Sequence, residues 1–336
     1  MRQEAMLYDR LDDQLVQCAL CAHRCRIQPG NRGICGVREN GDGALDTLVY
    51  AEAIAAHVDP IEKKPLYNFL PGTRSFSIAT VGCNFRCRFC QNADISQAPR
   101  EGELVRGQQF PPQEVVAAAR NYACDSIAYT YTEPTIFFEY AFDTAKLASA
   151  EGIKNVFVTN GYMTFEALET IQPYLDAANV DLKSFDDEFY RRVCGARLQP
   201  VLDTISAMHE RGVWVEVTTL LVTDLNDSEE EMSRIASFIA GIDPDIPWHV
   251  SRFTPRYRMT DRPATPVERI HRAVEIGQQA GLRYVYAGNV PGDTYENTLC
   301  PACGALAIGR IGYQTTVKLD GSRCASCGQD LAVIRD

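Results

Sequence analysis

The sequence predicts an α/β protein built on parallel strands, and three observations carry that prediction. Between about residues 75 and 290, short apolar runs rich in β-branched residues alternate with longer stretches of helical periodicity. The stretches between successive runs are too long for hairpins and act as crossovers, so the strands run parallel. With 336 residues and 46% hydrophobic content, the chain can bury one large core and carry small appendages at either end.

In chain order the predicted strands are SFSIATVG (75–82), SIAYTY (126–131), NVFVTN (155–160), ANVDLK (178–183), VWVEVTTLLV (213–222) and WHVSRF (248–253), with RYVYAGN (283–289) a candidate seventh. Helical stretches such as PPQEVVAAARNYA, TIFFEYAFDTAKLASAEG and DSEEEMSRIASFIAG separate them, and the proline-containing stretch around residues 254–266 reads as loop. A full or partial barrel and an open doubly wound sheet share this periodicity, and in both the strand C-termini form the functional face. Residues 84–92, Thr132 to Pro134, Asn160 to Gly161 and Asp181 to Lys183 fall at or just after those ends, so they are expected to converge.

No run approaches the roughly 18–20 apolar residues of a membrane-spanning helix. The start, MRQEAMLYDRLDDQ, lacks the charged-then-apolar layout of a signal peptide, and a cytoplasmic protein is expected. A net charge of -11 argues against a nucleic-acid backbone as the main partner, since that affinity rests on clustered Lys and Arg.

Thirteen cysteines in a reducing compartment point to metals rather than disulfides. Eleven fall into three groups: Cys18, Cys21, Cys25 and Cys35; Cys83, Cys87 and Cys90; and Cys300, Cys303, Cys324 and Cys327. Sets of four, three and four ligands read as two closed sites around one with an open position. Cys124 and Cys194 are left over and read as buried small hydrophobes, with Cys194 also able to face the barrel.

The segment GCNFRCRFCQN places its three thiols in a loop directly after a strand, where they can wrap one compact cluster and leave one iron of a four-iron cubane free. A structural zinc loop short of a ligand is the competing reading. This CxxxCxxC, with Phe89 before the third cysteine, resembles the signature of the radical S-adenosylmethionine (SAM) superfamily. The resemblance implies a partial (β/α)6 TIM-type barrel, a 4Fe-4S cluster and SAM as cofactors, and reductive cleavage of SAM to a 5'-deoxyadenosyl radical that takes hydrogen from a substrate.

Other strand ends carry the resemblance further. YTEP (131–134) resembles the superfamily's GGEP element, with Thr132 in place of a glycine and Glu133 directed at the SAM amino group. TNG (159–161) and DLK (181–183) resemble elements that lie beside SAM in the pyruvate formate-lyase activating enzyme group, so Asn160, Asp181 and Lys183 are expected to contact it. Lys183 would neutralise the SAM carboxylate. A solvated ion pair is the plainer reading of an Asp and a Lys two residues apart. His249 has two readings: contact with the SAM ribose, or a strand histidine satisfied within the core. Val158 stands where those enzymes carry an acidic residue, which speaks against a monovalent cation site of their kind.

CPACG (300–304) and CASCG (324–328) form a zinc-ribbon pattern whose four thiolates leave no position for substrate, with an auxiliary iron-sulfur cluster as the alternative. The leading group, CALCAHRCRIQPGNRGIC, suits zinc or an iron-sulfur cluster, with His23 an alternative ligand. The sequence leans to zinc there. The expected divisions are an N-terminal four-cysteine metal-binding segment and lead-in at 1–70, the partial barrel at 71–292, and a ribbon-like module at 293–336.

Taken along its length, the chain resembles the AmmeMemoRadiSam system enzymes, a branch of the activating-enzyme group associated with AMMECR-like and Memo-like proteins. Three functions follow as expectations: radical modification of a partner protein, radical transformation of a small molecule with those partners, or a metal-bearing scaffold that binds SAM without turnover. The first two also require an electron donor such as flavodoxin or ferredoxin.

Overall fold

The computed structural model describes residues 2–102 and 105–335. At its centre lies a sheet of eight strands: β1 (Ala55–Pro60), β2 (Arg74–Ala79), β3 (Ser126–Tyr129), β4 (Lys154–Thr159), β5 (Ala177–Asp181), β6 (Trp214–Leu221), β7 (Trp248–Arg252) and β8 (Val285–Gly288). Every strand neighbours its predecessor in sequence. Strands β2 to β8 pair in parallel, while β1 pairs antiparallel with β2. The segment at 283–289 therefore supplies a seventh parallel strand, and the sheet begins before residue 71, inside the expected lead-in. Among the described residues β1 and β8 are unpaired with each other, so the barrel is partial.

Helices α1 (Pro112–Asn121), α2 (Phe138–Ala150), α3 (Phe165–Ile171), α4 (Gln199–Glu210), α5 (Glu229–Ile242) and α6 (Val267–Gln279) form the crossovers. Their starts follow from sequence. Ser228 caps α5 by accepting from the Glu231 backbone N–H, and Glu229, Glu230 and Glu231 place negative charge on its first turn. Thr164 caps α3 in the same way through Ala167.

Alternation along β7 sends Trp248 outward onto α6, where a Cβ on Gly277 would lie 3.0 Å from the indole; a glycine is what permits this approach. His249 and Ser251 take the inward face. One continuous core joins the N-terminal segment to the helix-facing side of the sheet, and a second cluster, with Ala128, Val156 and Ala177 packed on Ile61, Leu66, Phe69 and Leu70, fills the barrel floor.

Two small antiparallel sheets make up the N-terminal segment, Tyr8–Arg10 with Val16–Cys18 and Arg26–Ile27, and Gln3–Glu4 with Ala44–Thr47 and Arg38–Gly41. Buried Arg38 ties it to the barrel by reaching both carboxylate oxygens of Glu139 on α2, at 2.9 and 3.0 Å. At the other end, strands Leu306–Ile311 and Gln314–Val317 form a hairpin. Its Arg310, fully buried, donates to the Tyr67 carbonyl at 2.6 Å and stacks over the Tyr67 ring at 4.2 Å. Asn68 Nδ2 donates to the Ala332 carbonyl at 2.8 Å, so the C-terminal module is seated on the connection between β1 and β2. Among the described residues no helix is long and apolar enough to cross a membrane.

Candidate functional site

The loop after β2 carries Cys83, Cys87 and Cys90, and neighbouring elements satisfy its backbone. Gly82 takes a left-handed φ of +101°, and a Cβ there would lie 2.8 Å from Val37. The N–H groups of Arg86 and Arg88 donate to the carbonyls of Cys194 and Val193, at 2.8 and 3.1 Å. Arg100 clamps the loop from outside, donating to the carbonyls of Cys83 (2.8 Å) and Phe85 (2.7 Å).

All three thiols face one cavity of about 520 Å³, in the range of small-molecule sites, together with residues from the ends of β3, β4 and β5. Among the described residues, Cys300, Cys303, Cys324 and Cys327 are the set of three or more metal-ligand atoms drawn within 4.8 Å of one another. Cys83, Cys87 and Cys90 stand wider around their cavity, as thiolates on separate irons do and thiolates on one ion do not. Three soft donors around a cavity therefore fit a four-iron cluster with one iron left for another ligand.

The Phe85 N–H donates to the Cys83 sulfur at 3.3 Å, and the Cys90 sulfur lies 3.2 Å from the Ser96 hydroxyl. Burial pushes the Cys83 and Cys90 thiols up in pKa. For Cys87 the adjacent Cys194 thiol does so first, and burial adds to it. Cys194 is thus buried against the cysteine loop.

The end of β3 supplies Glu133, which is 1% exposed. Its Oε1 accepts from the Thr135 N–H (3.0 Å), the Thr135 hydroxyl (2.6 Å) and the Thr159 hydroxyl (2.7 Å), and its Oε2 accepts from the Asn160 N–H at 2.8 Å. Burial raises the carboxyl pKa, and these bonds offset part of that rise. Oε2 keeps one acceptor direction for a ligand. Asn160 in turn donates from Nδ2 to the Asn84 Oδ1 at 2.7 Å, which sets it against the cysteine loop. Thr132 anchors its hydroxyl on the Thr80 carbonyl at 2.8 Å. The left-handed residue of this turn is Tyr131, at φ 62°, so Thr132 fits without strain.

At the end of β5, Lys183 Nζ lies 2.9 Å from the Asp181 carboxylate and 5.8 Å from the centre of the Phe89 ring. Burial alone would lower the pKa of this ammonium, but Asp181 and the thiols of Cys87 and Cys194 hold it well above its ordinary value. The pair faces the cavity rather than bulk solvent. A fixed cation beside the cysteine loop and a partly exposed carboxylate next to it suit an amino acid's charged groups.

His249 is placed elsewhere. It is 2% exposed, its Nε2 lies 2.6 Å from the Glu216 carboxylate, and its ring is set between Tyr67 (4.7 Å) and Tyr286 (5.2 Å). Glu216 also accepts from the N–H groups of Tyr67 (2.9 Å) and Asn68 (2.8 Å). Of the two readings of His249, this geometry matches the strand histidine satisfied within the core, at the barrel floor; Ser251, two residues on, is the β7 residue that lines the cavity. Lys63, Thr218, Asn289 and Tyr313 also line it and were not foreseen. Thr218 follows Glu216 on one strand face, a signal the sequence held. Lys63 and Tyr313 arrive from the β1–β2 connection and the C-terminal hairpin, with no motif to announce them.

In the C-terminal set, Cys300 and Cys327 lie 3.7 Å apart, as do Cys303 and Cys324. A tetrahedral ion with metal–sulfur bonds of about 2.3 Å has an edge of about 3.8 Å. The N–H groups of Ser326 and Cys327 lower the pKa of the Cys324 thiol, while the neighbouring sulfurs of Cys303 and Cys300 raise that of Cys327. Cys18, Cys21, Cys25 and Cys35 line a separate cavity in the N-terminal segment.

The family model described as the radical SAM superfamily matches residues 77–239. An uncharacterized protein of Methanocaldococcus jannaschii is 43% identical over 336 residues, covering 99% of each chain. The pyruvate formate-lyase-activating enzyme of Clostridium pasteurianum is 25% identical over 51% of this chain and 71% of its own. Among solved structures, a radical SAM methyltransferase from Sphaerobacter thermophilus shares the fold, with a TM-score of 0.52 and 18% identity over 65% of this chain and 66% of that one.

Proposed function

Because this chain belongs to the radical SAM superfamily, we propose that it cleaves SAM reductively and takes a hydrogen atom from a segment of a partner protein. The observation that carries the reading is the convergence of Cys83, Cys87 and Cys90 with Glu133, Asn160, Asp181 and Lys183 on one cavity. When bound by the three thiolates, a 4Fe-4S cluster supplies the electron and the open iron that SAM cleavage requires.

The chain's own residues bind and orient. Lys183 neutralises the SAM carboxylate, and Asp181 balances the ammonium or sulfonium charge. The free acceptor direction of Glu133 takes an amino N–H. Phe89 and Thr132 wall the cavity, and Asn160 fixes the cysteine loop against β4. A cytoplasmic setting and a protein donor of the flavodoxin or ferredoxin kind complete the proposal, as does zinc at Cys300, Cys303, Cys324 and Cys327. The divisions proposed are 1–70, 71–292 and 293–336, with β1 contributed to the barrel by the first.

A protein substrate is favoured over a small molecule by the rim. Tyr313 lines the cavity while remaining 61% exposed, and Ile311 beside it is 79% exposed. An apolar hairpin tip at the mouth suits a polypeptide that must present one loop. AMMECR-like and Memo-like proteins are the proposed partners, on the resemblance noted from sequence. The test is to incubate the reconstituted enzyme with SAM, reductant and each partner grown in deuterated medium. Deuterium in the 5'-deoxyadenosine supports a protein substrate; unlabelled 5'-deoxyadenosine formed with both partners contradicts it.

A further inference from the structure

The four N-terminal cysteines take no part in the cavity described above. Cys18 ends the strand Val16–Cys18, Cys21 and Cys25 bound a turn, and Cys35 precedes the strand Arg38–Gly41. All four are free thiols that line one cavity, walled by Leu20, Ile27 and Ile136. That cavity admits a water-sized sphere. The same chain shows the single-ion arrangement in its C-terminal set, with sulfurs 3.7 Å apart. Among the described residues the N-terminal sulfurs are not contracted in this way. Among the described residues neither they nor Cys83, Cys87 and Cys90 bring three sulfurs within 4.8 Å of one another.

A second observation is independent of the sulfurs. Arg38 and Asn84 both line this cavity, and each carries a buried nitrogen with no partner, Arg38 Nε and Asn84 Nδ2. The rest of each side chain is committed. Arg38 bonds to Glu139 and to the Met6 carbonyl, and the Asn84 Oδ1 accepts from Asn160. A buried donor left unpaired is costly. Thiolates and inorganic sulfides accept such N–H groups, and these bonds tune cluster potential. The four cysteines make a complete ligand set without His23, whose Nε2 lies 2.9 Å from the Asn84 carbonyl.

We propose that Cys18, Cys21, Cys25 and Cys35 bind a second, fully cysteine-ligated iron-sulfur cluster, in place of the zinc to which the sequence leans. Asn84 directly follows Cys83, so the two sites share a wall. This position gives the second cluster a role as electron carrier: it takes one electron from a flavodoxin- or ferredoxin-type donor and returns to its oxidised form when that electron passes to the catalytic cluster, with no bond or proton exchanged. The role rests on the function proposed above; the binding does not.

The test uses the full chain purified anaerobically, with iron, sulfide and zinc counted in the Cys83→Ala, Cys87→Ala, Cys90→Ala triple variant. Its N-terminal ligands are untouched. The expected result is retained iron and sulfide in about equal amounts, up to about four of each per chain, with a dithionite-reducible signal in electron paramagnetic resonance. A triple variant without iron but with about two zinc ions per chain, one in each terminal four-cysteine site, overturns the proposal. For the carrier role, Cys21→Ser with Cys25→Ser is compared in a preparation whose catalytic cluster content is verified. SAM cleavage should fall severalfold with the protein donor and stay unchanged with dithionite; equal rates with the protein donor overturn the role.

Discussion

Glu133 accepts the backbone N–H of Asn160 at 2.8 Å, and this bond joins the ends of β3 and β4 directly beneath the cysteine loop. Three further donors from Thr135 and Thr159 converge on the same carboxylate. Glu133→Gln turns one acceptor into a donor that faces N–H and O–H groups. We expect a loss of about 1–3 kcal/mol in unfolding free energy and a fall in SAM cleavage of roughly a hundredfold from misplaced geometry. Chemical denaturation and 5'-deoxyadenosine formation check the two effects. Unchanged stability and rate would show that the carboxylate is dispensable.

Lys183 is held as a cation beside the cysteines by Asp181. Lys183→Met keeps the chain's reach over Phe89 but removes the charge. The dissociation constant for SAM should rise about tenfold or more, with iron content unchanged, as calorimetry on the reconstituted protein would report.

His249 and Glu216 form a buried pair one layer below the residues that line the cavity. His249→Phe should lower stability by on the order of 2–4 kcal/mol, because it leaves the Glu216 carboxylate short of a partner. SAM affinity of the folded fraction should not change. A selective loss of SAM affinity would restore the ribose-contact reading.

The raised thiol pKa values of Cys83, Cys87 and Cys90 set a pH dependence for cluster assembly. Iron binds thiolates, so assembly must release these protons, and a higher thiol pKa makes that harder at neutral pH. Iron incorporation is expected to increase between about pH 7 and pH 9. A flat profile measured by iron and sulfide content would contradict this.

The sequence announced the parallel strands because they are buried on both faces and read as short, nearly continuous apolar runs, such as SIAY in β3. It announced the cysteine loop and the residues after β3, β4 and β5 because strand ends share one rim. Alternation told which face His249 occupies but not its depth. His249 and Ser251 point the same way, and only the relative rise of β6 and β7 puts one in the floor and the other in the cavity. Tyr313 and Lys63 lie far from the motif in sequence: Tyr313 reaches the rim on the C-terminal module that Arg310 seats on Tyr67, and Lys63 reaches it from the β1–β2 connection, where its Nζ meets the Asp59 carboxylate at 2.8 Å. The spacing of the N-terminal cysteines carried no information about how widely their sulfurs would stand.

The central claim is tested most directly by anaerobic reconstitution with iron and sulfide, followed by incubation with dithionite and SAM, comparing the wild type with Cys87→Ala. Formation of 5'-deoxyadenosine and methionine by the wild type, and none by the variant, is the predicted result. A wild type that carries its full complement of iron and sulfide, binds SAM and yet yields no 5'-deoxyadenosine, with or without the proposed partners, would contradict the account and leave a scaffold that binds SAM without turnover.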